Sequence, residues 1–97
     1  MFPIAICDDE AAVCSELRRL LALHEKAADF LIYEFHSGEE LYESICAGLS
    51  FHLIILDIEL KSMNGVTVGT LLREHLKDRA TEILYISGKP GYAMQLF

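Results

Sequence analysis

Positive charge is scarce in this sequence. Eight Lys and Arg stand against fifteen Asp and Glu, for a formal net charge of −7. Nucleic acid is bound by Lys and Arg that displace the counterions of its backbone, so the chain is not expected to bind nucleic acid by itself. The same charge is compatible with a metal ion or a basic protein surface as partner. Cysteine is sparse too. Cys7, Cys14 and Cys46 make an odd count with no CxxC pair, which excludes a disulfide framework and points to a reducing compartment. Their places in apolar runs and on helix faces suit small buried hydrophobes. Long apolar runs are missing: a run such as LIILDI falls far short of the roughly 20 residues a membrane helix needs. The opening MFPIAICDDE has neither the basic n-region nor the h-region of an export signal, and a cytoplasmic location is expected. There is no repeat, low-complexity tract or interdomain linker. With 97 residues, 53% of them hydrophobic, the chain can build one core and no second, so residues 1–97 are read as a single domain.

Two periodicities alternate along the chain. FPIAIC (Phe2 to Cys7) reads as a buried strand with Pro3 at its start. Asp8 to Glu10 opens a helix whose face carries Val13, Leu17, Leu20 and Leu21, with the acidic residues suiting the helix dipole. FLIYEF (Phe30 to Phe35) has β-favouring residues and one charge, as an edge strand would. Ser37 followed by Glu40 is a capping box, and Leu41, Ile45 and Leu49 form the face of the helix it opens, with Gly48 near the end. HLIILD (His52 to Asp57) is almost continuously apolar, as a strand covered on both sides must be. A loop with Asn64-Gly65 leads to a helix with Val68, Leu71, Leu72 and Leu76 inside, then EILYIS (Glu82 to Ser87), a Gly-Lys-Pro-Gly turn, and YAMQLF as a helix start. Strand and helix alternating with crossover-length connections predict an α/β fold, an open parallel sheet with helices on both faces.

In such a sheet ligands gather outside the carboxyl ends of the strands. Asp8-Asp9, Asp57 and Ser87 all fall there. If strands 1 and 3 are neighbours, their carboxylates converge, and like charges that close raise each other's pKa unless a cation compensates. Mg²⁺, held by one or two carboxylates and several waters, is the natural compensator. An Asp carboxylate is also a nucleophile toward phosphorus, and the Ser87 hydroxyl is able to donate to a phosphoryl oxygen. Plainer readings exist: Asp8, Asp9 and Glu10 as helix-capping residues, and Ser87 as a turn residue. Asp57 resists one, because it ends a run of Leu and Ile where a bare carboxylate would be costly.

IAICDDE, LIILDIEL followed by MNG eight residues after Asp57, and ILYISG, in this order and spacing, resemble the response-regulator receiver domain. The likeness covers essentially the whole chain. It implies a flavodoxin-like (CheY-like) sheet and a phosphoacceptor role for Asp57, with no turnover of an external substrate. It further implies Mg²⁺ held by Asp9, Asp57 and the Glu59 backbone carbonyl, Asp8 acting through water, and Ser87 sensing the phosphoryl group. A sensor histidine kinase is the implied partner and a transcriptional output through a separate DNA-binding domain the implied consequence. The ICDDE and DIEL segments and the YA…F after strand 4 are similar to receivers that precede LytTR-type domains. LKSMNG stands where a Pro-Gly loop is common.

A receiver has five strands in the order 2-1-3-4-5, and the sequence offers no fifth strand with its lysine and aromatic residue, and no last helix. Lys89 is the nearest substitute. Strand 4 is therefore expected to be a bare apolar edge, open to a homodimer or domain-swapped oligomer through strand 4 and helix 4. Two rival readings are a non-phosphorylated interaction module with that edge as its surface, and a metal-dependent phosphohydrolase on a related sheet, for which a second lysine, a general acid and a cap domain are missing.

Overall fold

The computed structural model describes residues 1–60, 65–76, 81–87 and 95–96, with the side chains of 75, 76, 95 and 96 left aside. The strands are β1 (Phe2–Cys7), β2 (Phe30–Phe35), β3 (Leu53–Asp57), β4 (Glu82–Ile86) and β5 (Gln95–Leu96), and the helices α1 (Ala11–Ala22), α2 (Gly38–Cys46) and α3 (Gly65–Leu76). They form one sheet in the order β2-β1-β3-β4-β5. The first four strands are parallel, and β5 runs antiparallel to β4. The expected α/β sheet and its order are therefore present, with four parallel strands.

Alternation along each strand divides the core in two. Ala5, Cys7, Ile54, Leu56, Ile83 and Tyr85 pack with Leu41 and Ile45 of α2 and Val68 and Leu72 of α3. Ile4, Ile6, Ile55 and Ile86 pack on the other side with Cys14 of α1, flanked by Val13, Leu17 and Leu21. That two-sided cover is why β1 and β3 are apolar at successive positions.

Ser37 caps α2 as its spacing predicts, the Glu40 N–H donating to its Oγ at 3.1 Å. The Glu40 carboxylate reaches one residue further back than in a standard box and accepts from the His36 N–H at 2.8 Å. At the other end Gly48, at φ 110°, makes the left-handed stop of a Schellman motif: its N–H donates to Ile45 O and that of Leu49 to Ser44 O.

Five expectations need correction. Cys46, read with Cys7 and Cys14 as a small buried hydrophobe, is exposed. Only Glu10 of the acidic run opens α1: it is the N-cap, the helix begins at Ala11 with no acidic residue in its first turn, and Asp8 lies before it in a turn whose carboxylate accepts the Glu10 N–H at 2.8 Å. Leu20 is 48% exposed, since the face that meets the sheet is Val13, Cys14, Leu17 and Leu21. Leu49 lies past the stop at Gly48 and is 39% exposed. Within YAMQLF, Gln95 and Leu96 are strand and not helix, pairing with Tyr85 and Leu84, so the edge of strand 4 is covered at those two residues. Eight residues, 87–94, separate β4 from β5. A parallel return needs about a dozen, so the chain comes back antiparallel. The remaining residues of YAMQLF, Asn64, Lys89 and the Gly-Lys-Pro-Gly turn lie outside the described residues.

Candidate functional site

The β1–β3 register pairs Cys7 with Leu56, so the next residue of each strand, Asp8 and Asp57, emerge side by side at the carboxyl end of the sheet. Asp8 is 2% exposed and Asp57 6%, while Asp9 is half-buried. Carboxylate oxygens of Asp8, Asp9 and Asp57 lie within 4.8 Å of one another. Both strand ends fold the same way afterwards. Asp8 Oδ1 accepts from the N–H two residues on, that of Glu10, and Asp57 Oδ1 accepts from that of Glu59 at 3.0 Å. Each buried carboxylate is thus tied down by its own turn.

Burial is the main force on these groups. It pushes the Asp8 carboxyl up from 3.8 to about 6, against the Glu10 N–H and with the help of the charges on Asp57, Asp9 and Glu10. Asp57 is raised in the same way, by burial first and then by Asp9, Glu59 and Glu10, against the Glu59 N–H. Among the described residues the ion pairs lie elsewhere, with Arg18 on Glu34 and Arg19 on Glu16. Three converging oxygens that repel one another in a largely dry site are a fit for a hard divalent cation, whose charge removes the repulsion. The cluster is positioned to coordinate one.

The third and fourth strands complete the surroundings. Asp57 is paired with Ile86 across the sheet, and the Ile58 N–H donates to Ile86 O at 2.9 Å. Ser87, the next residue and half-buried, therefore stands at the same end of the sheet, one position beyond the partner of Asp57. Gly65 opens α3 directly against the end of β3. A Cβ there would collide with the Asp57 carbonyl, and the Gly65 N–H donates to Ile58 O at 3.2 Å. The glycine of MNG is thus required by a close backbone approach. Sequence reasoning placed these residues but missed the groups that hold Asp8 itself. The Asp8 N–H donates to Phe35 O at 3.0 Å, and the Asp8 carbonyl receives His36 Nδ1 at 3.3 Å and Cys14 Sγ at 3.7 Å. Only the pairing of β1 with β2 makes His36 a neighbour of Asp8.

Residues 4–96 match the family described as response regulator receiver domain. The chain belongs to this family. A transcriptional regulatory protein of Staphylococcus aureus, SrrA, is 36% identical over 86 residues, 89% of this chain and 32% of SrrA. The chain spans about a third of the length of the curated relatives it matches. Among solved structures, the MaeR response regulator bound to beryllium trifluoride is 29% identical with a TM-score of 0.73, over 92% of this chain and 69% of that one. TrrA of Thermotoga maritima, in complex with Mg²⁺-BeF, is 28% identical with a TM-score of 0.70, over 95% of this chain and 74% of that one. The likeness is to receivers in general and does not single out the LytTR type. Receiver domains are signalling modules that do not act on external substrates, and this homology supports a role in phosphotransfer signalling. No described helix is long and apolar enough to cross a membrane.

Proposed function

We propose that this receiver takes a phosphoryl group from the phosphohistidine of a sensor histidine kinase onto Asp57. The observation that carries the reading is the convergence of Asp8, Asp9 and Asp57 within 4.8 Å at the ends of adjacent strands. A carboxylate oxygen of Asp57 attacks phosphorus, the P–N bond to the imidazole breaks, and the departing ring keeps the electron pair and regains a proton from solvent. Catalysis of such a transfer is positioning and charge neutralisation. Asp9, Asp57 and the Glu59 backbone carbonyl would hold Mg²⁺, with Asp8 acting through water; when bound, the ion would offset the mutual repulsion of the three carboxylates. The Glu59 N–H on Asp57 Oδ1 orients the carboxylate and leaves its other oxygen as the nucleophile. Ser87 reads the product, its hydroxyl donating to a phosphoryl oxygen, and β4 carries the rearrangement away from the site by shifting an equilibrium that exists beforehand.

In a longer protein the output is control of transcription, in keeping with the relative described as a transcriptional regulatory protein and, from ICDDE and DIEL, through a LytTR-type domain. The setting is the cytoplasm, where histidine kinases donate. A homodimer or domain-swapped oligomer belongs to the same reading. Its surface is strand 4 and the helix 4 region, with β5 already covering Leu84 and Tyr85 of that edge.

The test is beryllium fluoride binding followed by NMR, on the wild type and Asp57→Ala. Shifts at Asp57 and Ser87 that require both Mg²⁺ and fluoride, and vanish in the variant, support the reading. A folded wild type that shows none is instead a non-phosphorylated interaction module.

A further inference from the structure

We propose that His36 is a positioning residue for the acidic pair: its Nδ1–H holds the Asp8 carbonyl, and so fixes the peptide plane that joins Asp8 to Asp9. The inference deepens the phosphoryl-transfer reading and rests on it. The carbonyl in question belongs to the one peptide shared by the two carboxylate-bearing residues. Turning that plane changes ψ of Asp8 and φ of Asp9 together, and swings one side chain relative to the other. Asp8 is locked into the core at 2% exposure. Asp9 is half-buried and takes its direction from this peptide.

Three residues from two segments, the end of β2 and α1, hold Asp8. The Asp8 N–H is fixed to Phe35 O at 3.0 Å, and the Asp8 carbonyl receives His36 Nδ1 at 3.3 Å and Cys14 Sγ at 3.7 Å. A carbonyl only accepts, so Nδ1 carries the proton. The imidazole is not a loose arm. The His36 backbone N–H donates to Glu40 Oε2 at 2.8 Å, and the Glu40 backbone N–H donates to Ser37 Oγ at 3.1 Å, so the main chain that carries the ring is fixed at the capped start of α2. Cys14 is the lesser partner, because a thiol is a weak donor and its contact is the longer one, 3.7 Å. His36 thus makes the N-terminus of α2 part of the frame around the acidic site. Partners of this kind, which touch a ligand-bearing residue and not the ion, commonly tune metal affinity.

The experiment is calorimetric titration of Mg²⁺ into the wild type, His36→Ala and His36→Asn, with the Tm of each measured in EDTA. Asn carries its amide nitrogen close to the position of Nδ1 and restores the donor. Loss of one hydrogen bond predicts Mg²⁺ binding roughly three- to ten-fold weaker in His36→Ala, with His36→Asn within about two-fold of the wild type. Because His36 is exposed, both variants keep a Tm in EDTA within a few degrees of the wild type. Wild-type affinity in His36→Ala overturns the proposal, as does a loss that His36→Asn fails to restore. A wild type that binds no Mg²⁺ overturns the underlying reading as well, and is distinguished by the first titration.

Discussion

Replacing Asp8 with Asn should stabilise the metal-free protein. Asn keeps an oxygen for the Glu10 N–H and removes a charge that burial and Asp57, Asp9 and Glu10 all disfavour, so that the carboxyl sits at about 6 against an ordinary 3.8. A folded-state pKa above the unfolded value means that the native chain holds the proton more tightly. The contribution of Asp8 is therefore fully present below about pH 4 and is lost as pH rises through about 6. Each unit is worth about 1.4 kcal/mol, so a shift of about two units sets a ceiling near 3 kcal/mol, which solvent at the mouth of the site reduces to about 1–2. In EDTA at pH 7.5, Asp8→Asn should exceed the wild type by that amount, a Tm higher by roughly 5–10 °C for a domain of this size. At pH 4 the difference should vanish. Adding Mg²⁺ should narrow the gap at pH 7.5, because the wild type gains more from the ion. Thermal unfolding followed by circular dichroism at the two pH values reads all of this. An Asp8→Asn no more stable than the wild type at pH 7.5, or equally favoured at pH 4, would refute the reasoning.

Two further substitutions probe how the frame is built. Gly65→Ala forces a methyl into the Asp57 carbonyl and should cost about 1–3 kcal/mol while weakening Mg²⁺ binding, as denaturant unfolding and calorimetry would show. Gly48→Ala, strained only by its φ of 110° and remote from the carboxylates, should cost about 1 kcal/mol and leave Mg²⁺ affinity unchanged. Gly69→Ala meets the Tyr85 hydroxyl and should destabilise by a similar 1–3 kcal/mol. Tyr85→Leu should recover part of that loss in a double-mutant cycle, with a coupling of about 0.5–3 kcal/mol.

Strand positions were legible because both faces of β1 and β3 are covered, which leaves Ile4 to Cys7 and Leu53 to Leu56 apolar without interruption. The acidic site was legible for the same reason: Asp8 and Asp57 break those runs at the end where a parallel sheet gathers its ligands. What failed was local. Asp8, Asp9 and Glu10 carry the signature of a helix start, but only Glu10 caps α1, while the Asp8 carboxylate closes a turn on the Glu10 N–H before the helix begins at Ala11. YAMQLF carries helix formers, yet the backbone edge of β4 recruits Gln95 and Leu96 as strand, a tertiary pairing that overrides propensity. His36 has no sequence signal at all, because its part in the site depends on β1 and β2 lying in register.

The central claim is that Asp57 is the phosphoacceptor, and intact-mass measurement after incubation with Mg²⁺ and a small acyl-phosphate donor tests it most directly. The account predicts a single gain of about 80 Da, one phosphoryl group, that is absent without Mg²⁺ and absent in Asp57→Ala. A folded wild type that gains no mass, or an Asp57→Ala variant that gains the same mass, would contradict it.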